Sequence, residues 1–543
     1  MKHARLPKIF ALATLACAVA APALAQHEMG HDPSYPAGFD EPMPLAPAGL
    51  GPLSRPVTTT SPEAQAYFDQ GLQLLYAFTP PDAARSFREA QKRDTDCAMC
   101  YFGEAWAWGP YLNGAMREAD APRAYAAIQK ALELAPQHAS PVEQAMIEAM
   151  AVRYEPAHDA DRRRALDKAY AEAIGEVYRR YPNDLDVGTL YGEALMLLEP
   201  RRGTWDIAKP EVQHIHQVLE EVLALDITHP GACHLYVHAT EPTVEPGKAE
   251  ACADFLGNSI PGASHINHMP SHTYNRIGRW GDAVRANIQA WHSDLKSEIG
   301  EGFAIYPSHN LHMLLFAASM DGQGGVATQA GKDYGKLMDD GQFYHALTLL
   351  RFGRFDEIIA MQDNAPNAPL LRGIWDFAVG YAHLRTGDVA AARTYLAAVR
   401  SAADGAAADT NFRGHPADQL LGTVGGILEG EILREEGDLA GAISAQETAV
   451  SWEDQLRYDE PEPLNFTARH WLGATLLEAG RATEAEAVYR ASLVDHPNNG
   501  WSLLGLEQAL RAQARDAEAD EVHAQFEGAW ARADHWIQTS RYE

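Results

Sequence analysis

The sequence predicts an all-α protein, a superhelical solenoid of antiparallel helix pairs, and three observations favour this fold. Residues 466–499 read FTARHWLGATLLEAGRATEAEAVYRASLVDHPNN, which is two amphipathic runs separated by a short turn. A turn of the form G-D/R-x-x-x-A recurs between other amphipathic runs, for example at 387–392 and 437–442. No stretch alternates apolar and polar residues for long, so we expect essentially no sheet.

Small residues stand where the two helices of a pair must touch. Counted from the start of 466–499, Gly473 is at position 8 and Ala485 at position 20, which allows close helix approach. Tyr489 fills the adjacent gap, and Pro497 ends the second helix. This pattern resembles the tetratricopeptide repeat, a helix–turn–helix unit of about 34 residues. We expect about seven to nine such pairs along the chain.

The chain divides into four segments on composition. Residues 1–25 predict a signal peptide, residues 26–59 are rich in Pro and Gly and predict an extended arm, residues 60–340 predict an N-terminal repeat array, and residues 341–543 predict a C-terminal array. A solenoid presents a concave groove lined by the first helix of each pair. That groove is the expected binding surface for a protein or peptide partner.

Residues 1–25 predict export to the bacterial periplasm. Three basic residues precede an apolar run, and Ala-Leu-Ala at 23–25 is a small-residue cleavage motif. A lipid anchor on Cys17 is the less favoured alternative, because Thr-Leu-Ala at 14–16 matches the required motif poorly. No later stretch has the roughly 18 uninterrupted apolar residues of a membrane span.

The chain is acidic, with a formal net charge of −30 at pH 7, and loss of the three basic residues of 1–25 would make it −33. This charge opposes binding to nucleic acid and to anionic lipid, and it favours cationic partners and metal ions. No nucleotide cofactor is expected.

The segment THPGACHLYVHATEP indicates a metal site. Pro230 suits the first turn of a helix, which would put His234 and His238 one turn apart on one face, with Glu241 near them. Zinc peptidases with H-E-x-x-H have a catalytic glutamate where this chain has Leu235, which argues against that class. The alternative is a pair of groove histidines that bind each other, a peptide or water.

A second group of histidines follows in HINHMPSH. Pro270 predicts a helix start, so His272 would lie inside that helix, while His265 and His268 would lie in or before its entry loop. Because first helices of adjacent pairs lie side by side in a solenoid, His234, His238, His268 and His272 would form one patch suited to Cu(II) or Zn(II). Further candidates are His265, His309 and His312.

The cysteines suggest disulfides rather than cofactor attachment. Haem attachment needs a histidine after Cys100, where Tyr101 stands. Cys97 and Cys100 therefore form a disulfide, a copper-binding pair or two packed thiols, and we favour the disulfide. Cys233 and Cys252 are about equally far from an expected turn, and we predict that they are bonded.

Three of these segments resemble an exported bacterial tetratricopeptide-repeat family whose activity is not established. The family carries C-x-M-C-x-x-G, H-x-x-x-H-x-x-E and H-M-P-x-H-x-x-x-R-x-G segments, and the likeness covers roughly residues 50–320. It implies the fold and the exported location but no reaction. The residues it carries over are Cys97, Cys100, His234, His238, Glu241, His268, His272 and Arg276.

Three functions are compatible with the sequence. The leading hypothesis is a periplasmic binding or scaffold protein with copper or zinc in its N-terminal groove. A metal-dependent hydrolase or oxidase would use the same histidines, with Glu241 as general base. A purely peptide-binding array would hold no metal. Arg276 is expected to pack between repeats, and its alternative role is to anchor an anionic ligand.

Overall fold

The computed structural model describes residues 41–200 and 203–543. The predicted signal peptide, Cys17 and the first part of the predicted arm lie outside the described residues. Within the described ranges, no helix combines the length and apolar character needed to cross a bilayer.

The chain is an all-α superhelical solenoid of antiparallel helix pairs, and the predicted fold class is confirmed. The N-terminal helices are α1 (Pro62–Tyr76), α2 (Pro80–Arg93), α3 (Ala98–Ala107), α4 (Ala121–His138), α5 (Pro141–Ala151), α6 (Ala160–Arg180), α7 (Leu185–Met196), α8 (Pro210–Leu225), α9 (Pro230–Thr240), α10 (Glu250–Leu256), α11 (Ser264–His268), α12 (Pro270–Ile277) and α13 (Trp280–Ser297).

The C-terminal helices continue the same up-and-down order. They are α14 (Pro307–Met320), α15 (Gly324–Leu337), α16 (Gln342–Arg351), α17 (Phe355–Ala360), α18 (Pro369–Arg385), α19 (Val389–Asp404), α20 (Ala417–Glu435), α21 (Leu439–Glu453), α22 (Arg469–Glu478), α23 (Ala482–Asp495), α24 (Gly500–Ala512) and α25 (Asp516–Trp530). Neighbours in sequence are also neighbours in space, as for α18 with α19 and α20 with α21.

The described residues contain more helices than the predicted seven to nine pairs supply. Short helices such as α10, α11 and α17 lack the small-residue spacing that identified the repeats, so the sequence did not reveal them. One two-residue strand pair is present, β1 (Asn411–Phe412) with β2 (His415–Pro416). Arg413 and Gly414 between the strands both have positive φ, 55° and 79°, which suits a tight hairpin turn.

Local signals set the helix starts. Ser61 accepts a hydrogen bond from Ala64 N at 3.1 Å, and Pro62 takes the first position of α1. Prolines also begin α9, α12 and α14, where their missing N–H leaves no hydrogen bond unmade.

Remote parts of the solenoid touch where α12 ends. Gly278 has φ 75°, and a Cβ there would lie 2.2 Å from the carbonyl oxygen of Pro497. Nearby, the indole N–H of Trp280 donates to the same carbonyl at 2.8 Å. Only glycine fits this left-handed helix end against the second backbone. The two predicted arrays are therefore in direct contact.

The last residues of the sequence pack inside the C-terminal half. Tyr542 is 1 % exposed and its hydroxyl lies 2.8 Å from Nη1 of Arg351 and 2.9 Å from Nδ1 of His470. Ser540 Oγ donates to the carbonyl of His470 at 2.6 Å. Residues 540–542 thus occupy the inside of this half.

Candidate metal centre

α9 carries the first two histidines of the site on one face. The helix begins at Pro230, and His229 caps it because its Nδ1 accepts a hydrogen bond from Ala232 N at 3.1 Å. His234 and His238 follow one turn apart, and their ring centroids are 5.0 Å apart. The four-residue spacing therefore puts both imidazoles on the same face of α9.

α11 and α12 carry three more histidines in one stripe, which differs from our expectation that His265 and His268 belong to a loop. Met269 joins the two helices with helical angles, φ −51° and ψ −37°, although it precedes Pro270. The run is therefore helical throughout. The ring centroids of His265 and His268 are 5.7 Å apart and stacked, and those of His268 and His272 are 4.6 Å apart and edge to face. His265, His268 and His272 therefore lie on one helix face, which we did not expect.

The histidines form two groups of three whose ligand nitrogens lie within 4.8 Å of one another. The first triad is His234, His238 and His265, and the second triad is His268, His272 and His309. Each triad thus combines two histidines four residues apart with one from elsewhere. His309, from α14, lies 4.6 Å from His268 between ring centroids.

The cluster is buried, whereas we expected the histidines to line an open groove. All seven candidate histidines are at most 5 % exposed. Tyr458 and Glu460 of the C-terminal half cover the second triad through contacts with Glu241 and His272. Phe78 and Tyr306 cover the first triad. A partner peptide in a groove cannot reach these side chains while that cover is in place.

Backbone and amide oxygens orient one ring of each triad. Nδ1 of His234 lies 2.6 Å from the carbonyl oxygen of Tyr76, which can only accept, so this nitrogen carries a proton. Nδ1 of His268 lies 2.8 Å from Oδ1 of Asn287, whose amide nitrogen donates to the carbonyl of Ala283 at 2.9 Å. Both rings are therefore protonated at Nδ1.

Glu241 orients another ring of each triad. Its Oε1 accepts from Nδ1 of His238 at 2.8 Å, and its Oε2 accepts from Nδ1 of His272. Glu460 Oε2 lies 2.9 Å from the same nitrogen of His272. Both oxygens of Glu241 are thus engaged by histidines, which makes it a positioning residue and argues against the general-base role that the enzyme hypothesis gave it.

The protonated Nδ1 atoms leave Nε2 atoms facing each other. Nε2 of His234 lies 3.1 Å from Nε2 of His265, and Nε2 of His268 lies 2.7 Å from Nε2 of His272. In a neutral ring protonated at Nδ1, Nε2 is a lone pair, the form that binds metals. Two lone pairs 2.7 Å apart repel, so the His268–His272 pair requires a cation, either a proton or a metal ion.

Charges around the rings act in opposite directions in the two triads. Burial lowers the pKa of His272, but the carboxylates of Glu241 and Glu460 outweigh it and raise that pKa to about 9. Burial, followed by the surrounding histidines, holds the pKa of His265 well below its usual range. The second triad is therefore the part of the cluster that attracts positive charge most strongly.

Two aromatic residues in a left-handed conformation wall the first triad. Phe78 has φ 56° and its ring centroid lies 4.2 Å from that of His234, and Tyr306 has φ 61° and lies 5.5 Å from His265. Non-glycine residues with such angles cost free energy, and they cluster at functional sites. The hydroxyl of Tyr306 lies 2.8 Å from that of Tyr111, which closes this side.

The second triad is the side of the cluster that borders a cavity. A small cavity of about 30 Å³ reaches Glu241 and His272, and it is bounded by Tyr458 and Glu460. A larger cleft of about 270 Å³ adjoins it and shares Tyr458 with it. A small molecule in the cleft would be separated from the cluster by the Tyr458 side chain, whose hydroxyl donates to Glu241 Oε2 at 3.2 Å.

Two predicted site residues lie outside the triads. His312 packs its ring against Tyr344, with centroids 4.4 Å apart, and belongs to neither triad. Arg276 donates from Nε to the carbonyl of Glu241 and from Nη2 to the carbonyl of Thr243, both at 3.2 Å. Arg276 therefore fixes the end of α9, as the packing role requires, and it also lines both the small cavity and the larger cleft.

Both cysteine pairs are bonded in the structure. Cys233 joins Cys252, which ties α9 to α10 directly beside His234. Cys97 joins Cys100 at the start of α3. Neither pair offers a thiolate to a metal, so the candidate ligands are imidazoles and carboxylates.

Several residues of the site were missed from the sequence, namely Phe78, Asn287, Tyr306, Tyr458 and Glu460. The acidic connection DEPEP at 459–463, with three carboxylates in five residues, was the available signal. Nothing in its spacing ties it to the histidines.

Comparisons with known proteins add little. No family model matches the chain, and no curated protein matches it. A structure of the human IFIT1 dimer with m7Gppp-AAAA is 11 % identical, covers 86 % of this chain and 90 % of that chain, and has a TM-score of 0.30. The APC/C hetero-tetramer Cut9–Hcn1 is 12 % identical, covers 87 % and 74 %, and has a TM-score of 0.27. These likenesses are too distant to support a function.

Proposed function

We propose that this protein is an exported helical-repeat protein that binds transition-metal ions, copper or zinc, in its buried histidine cluster. One observation carries the proposal. Four rings, two in each triad, direct a protonated Nδ1 at an oxygen and so turn Nε2 into the cluster. Histidine ligands of metals are held in this way by carboxylates and carbonyls.

Distances and ligand types support copper or zinc. Nitrogens about 2.0–2.1 Å from a tetrahedral ion are about 3.3 Å from each other. The Nε2 pairs at 3.1 Å and 2.7 Å need only small adjustments to reach that separation. Imidazoles without thiolates suit Cu and Zn, while Mg and Ca prefer oxygen ligands.

Export is supported by the N-terminal sequence and by the cysteines. Residues 1–25 have the charge, apolar run and cleavage motif of a signal peptide. The pairing of Cys233 with Cys252 suits an oxidising compartment. We therefore place the protein in the periplasm, with the lipid-anchored form on Cys17 as the alternative.

A scaffold role on the outer surface of the solenoid accompanies the metal site. Repeat arrays bind proteins or peptides through extended surfaces, and the acidic charge disfavours nucleic acid. Because the histidines are covered and the C-terminal half contains its own Tyr542, a partner would use other surfaces. The purely peptide-binding function is therefore less favoured.

Catalysis at the metal is the second candidate function. Each triad supplies three imidazoles, and sites with three protein ligands keep a position for water or substrate, as in catalytic zinc sites. Azide addition to the copper-loaded protein tests this: a new charge-transfer absorption indicates an open position. An unchanged spectrum would favour a closed, structural site.

The metal content of the untagged protein tests the proposal. The protein is purified without chelators, offered copper and zinc, desalted and measured by mass spectrometry. We expect bound metal in the wild type and its loss in His234→Ala/His272→Ala. The matched control is His214→Ala/His292→Ala, which removes two exposed histidines. A wild type that retains neither metal overturns the proposal and leaves the peptide-binding function.

A further inference from the structure

We propose that the cluster holds two copper ions side by side, one on each triad. This inference rests on the proposed metal function and deepens it. The first triad and the second triad share no residue, and each is complete with three imidazoles. Six buried histidines are more than one four-coordinate ion can use.

The ligand nitrogens group the rings into two triads, since all three nitrogens of each triad lie within 4.8 Å of one another, while the ring centroids of the two triads adjoin. Within the first triad the ring centroids are 4.9, 5.0 and 6.2 Å apart, and within the second triad they are 4.6, 4.6 and 5.5 Å apart. Between the triads, His238 lies 5.6 Å from His272 and His265 lies 5.7 Å from His268. Two rings of each triad therefore face the other triad, namely His238 and His265 in the first and His268 and His272 in the second.

Glu241 sets the spacing of the two sites. One of its oxygens accepts from His238 of the first triad, and the other accepts from His272 of the second triad. A single buried carboxylate therefore fixes a ring of each triad at once. A hydrogen-bond acceptor shared by the two triads would hold two ions at a constant separation, as in two-metal sites with ions about 3.5–4 Å apart.

The charge of the site favours the cuprous ion over zinc, because a cupric ion carries the same charge as zinc. Neutral imidazoles bring no charge, and the carboxylates grouped with them are the buried Glu241 and the partly buried Glu460. Two carboxylates neutralise two cuprous ions, whereas two zinc ions would leave an excess of two positive charges in a buried site. Three imidazoles also satisfy the low coordination number of a cuprous ion, while zinc needs a fourth ligand.

Copper stoichiometry tests the proposal. The protein is loaded anaerobically with cuprous ion in the presence of a chromogenic chelator, and bound copper is counted per chain. We expect two ions in the wild type. His234→Gln/His238→Gln should retain one ion on the second triad, and His268→Gln/His309→Gln should retain one on the first triad. Circular dichroism of each variant confirms that the helices remain.

Electron paramagnetic resonance of the cupric form gives a second readout. Two neighbouring cupric ions couple, so the signal should integrate to fewer spins than the copper present, or show a half-field transition. One ion per chain, or a signal that accounts for all the copper as isolated ions, overturns the dinuclear centre while the metal function stands. If the protein binds no metal at all, the proposed metal-binding function is itself wrong. Failure of the dinuclear centre and failure of the metal-binding function therefore give different results.

Discussion

Nε2 of His268 lies 2.7 Å from Nε2 of His272 inside the protein, while the Nδ1 atoms of both rings point at acceptors. This arrangement places two nitrogen lone pairs against each other unless a cation joins them. The second triad is consequently the position where a metal ion would take the place of the proton that His272, with a pKa raised to about 9, otherwise holds.

Replacement of Glu241 should weaken metal binding without removing any ligand. In Glu241→Gln, the amide cannot accept from both His238 and His272, so one ring loses its orientation. We expect a 10- to 100-fold loss of copper affinity, measured by chelator competition. Glu245→Gln, at an exposed glutamate nearby, is the control. Equal affinities in the two variants would contradict the positioning role.

Removal of the Cys233–Cys252 bond should destabilise the N-terminal half. The bond closes a loop of sequence separation 19, for which chain entropy gives about 3 kcal/mol of unfolding free energy. Cys97→Ser/Cys100→Ser opens a loop of separation 3 and should cost less. Denaturant unfolding under non-reducing conditions measures both. A larger loss in the second variant would contradict the loop-length argument.

Tyr542→Ala should destabilise the C-terminal half. The ring packs edge-on against Trp471, with centroids 4.5 Å apart, and the hydroxyl contacts Arg351. Truncation of a buried aromatic costs about 3 kcal/mol or more. Trp536→Ala is the control because Trp536 is 93 % exposed, and it should change stability by less than about 0.5 kcal/mol. Similar midpoints for both variants would show that the terminal residues carry little stability.

Asp294 should make stability fall as the pH rises. Burial raises the pKa of this carboxyl to about 7 from a usual value of 3.8. Its neutral form is therefore favoured in the folded protein, and the unfolded chain releases the proton first, so stability decreases between about pH 4 and pH 7. Asp294→Asn should reduce the loss of unfolding free energy measured between pH 5 and pH 8. An unchanged pH dependence would exclude Asp294 as its source.

The sequence was sufficient for the fold class and for the short-range part of the site. Helical periodicity put His234 and His238 on one face because both lie in one helix, and no tertiary information was needed. The sequence could not predict that His265 lies beside the histidines of α9. That placement depends on Met269 remaining helical before a proline, against the usual preference, and on how α9 and α11 stack.

The carboxylate side of the site could not be predicted from the sequence. Tyr458 and Glu241 are separated by 217 residues, and their contact depends on the summed rotation of many helix pairs. Small errors in each repeat accumulate along a solenoid, so groove-facing and buried positions cannot be told apart at that range. The cover that Tyr458 and Glu460 give the second triad follows from this contact and was missed with it.

The connection at residues 458–465 is constrained in a way that connections between repeats normally are not. Most such loops tolerate insertions, because nothing depends on their length. Here one added residue would move Tyr458 and Glu460 away from Glu241 and His272. Homologous chains that keep the histidines should therefore keep this loop at constant length, while chains that have lost the histidines should be free to vary it. The evolutionary variation of this loop would then report on the buried site that it covers.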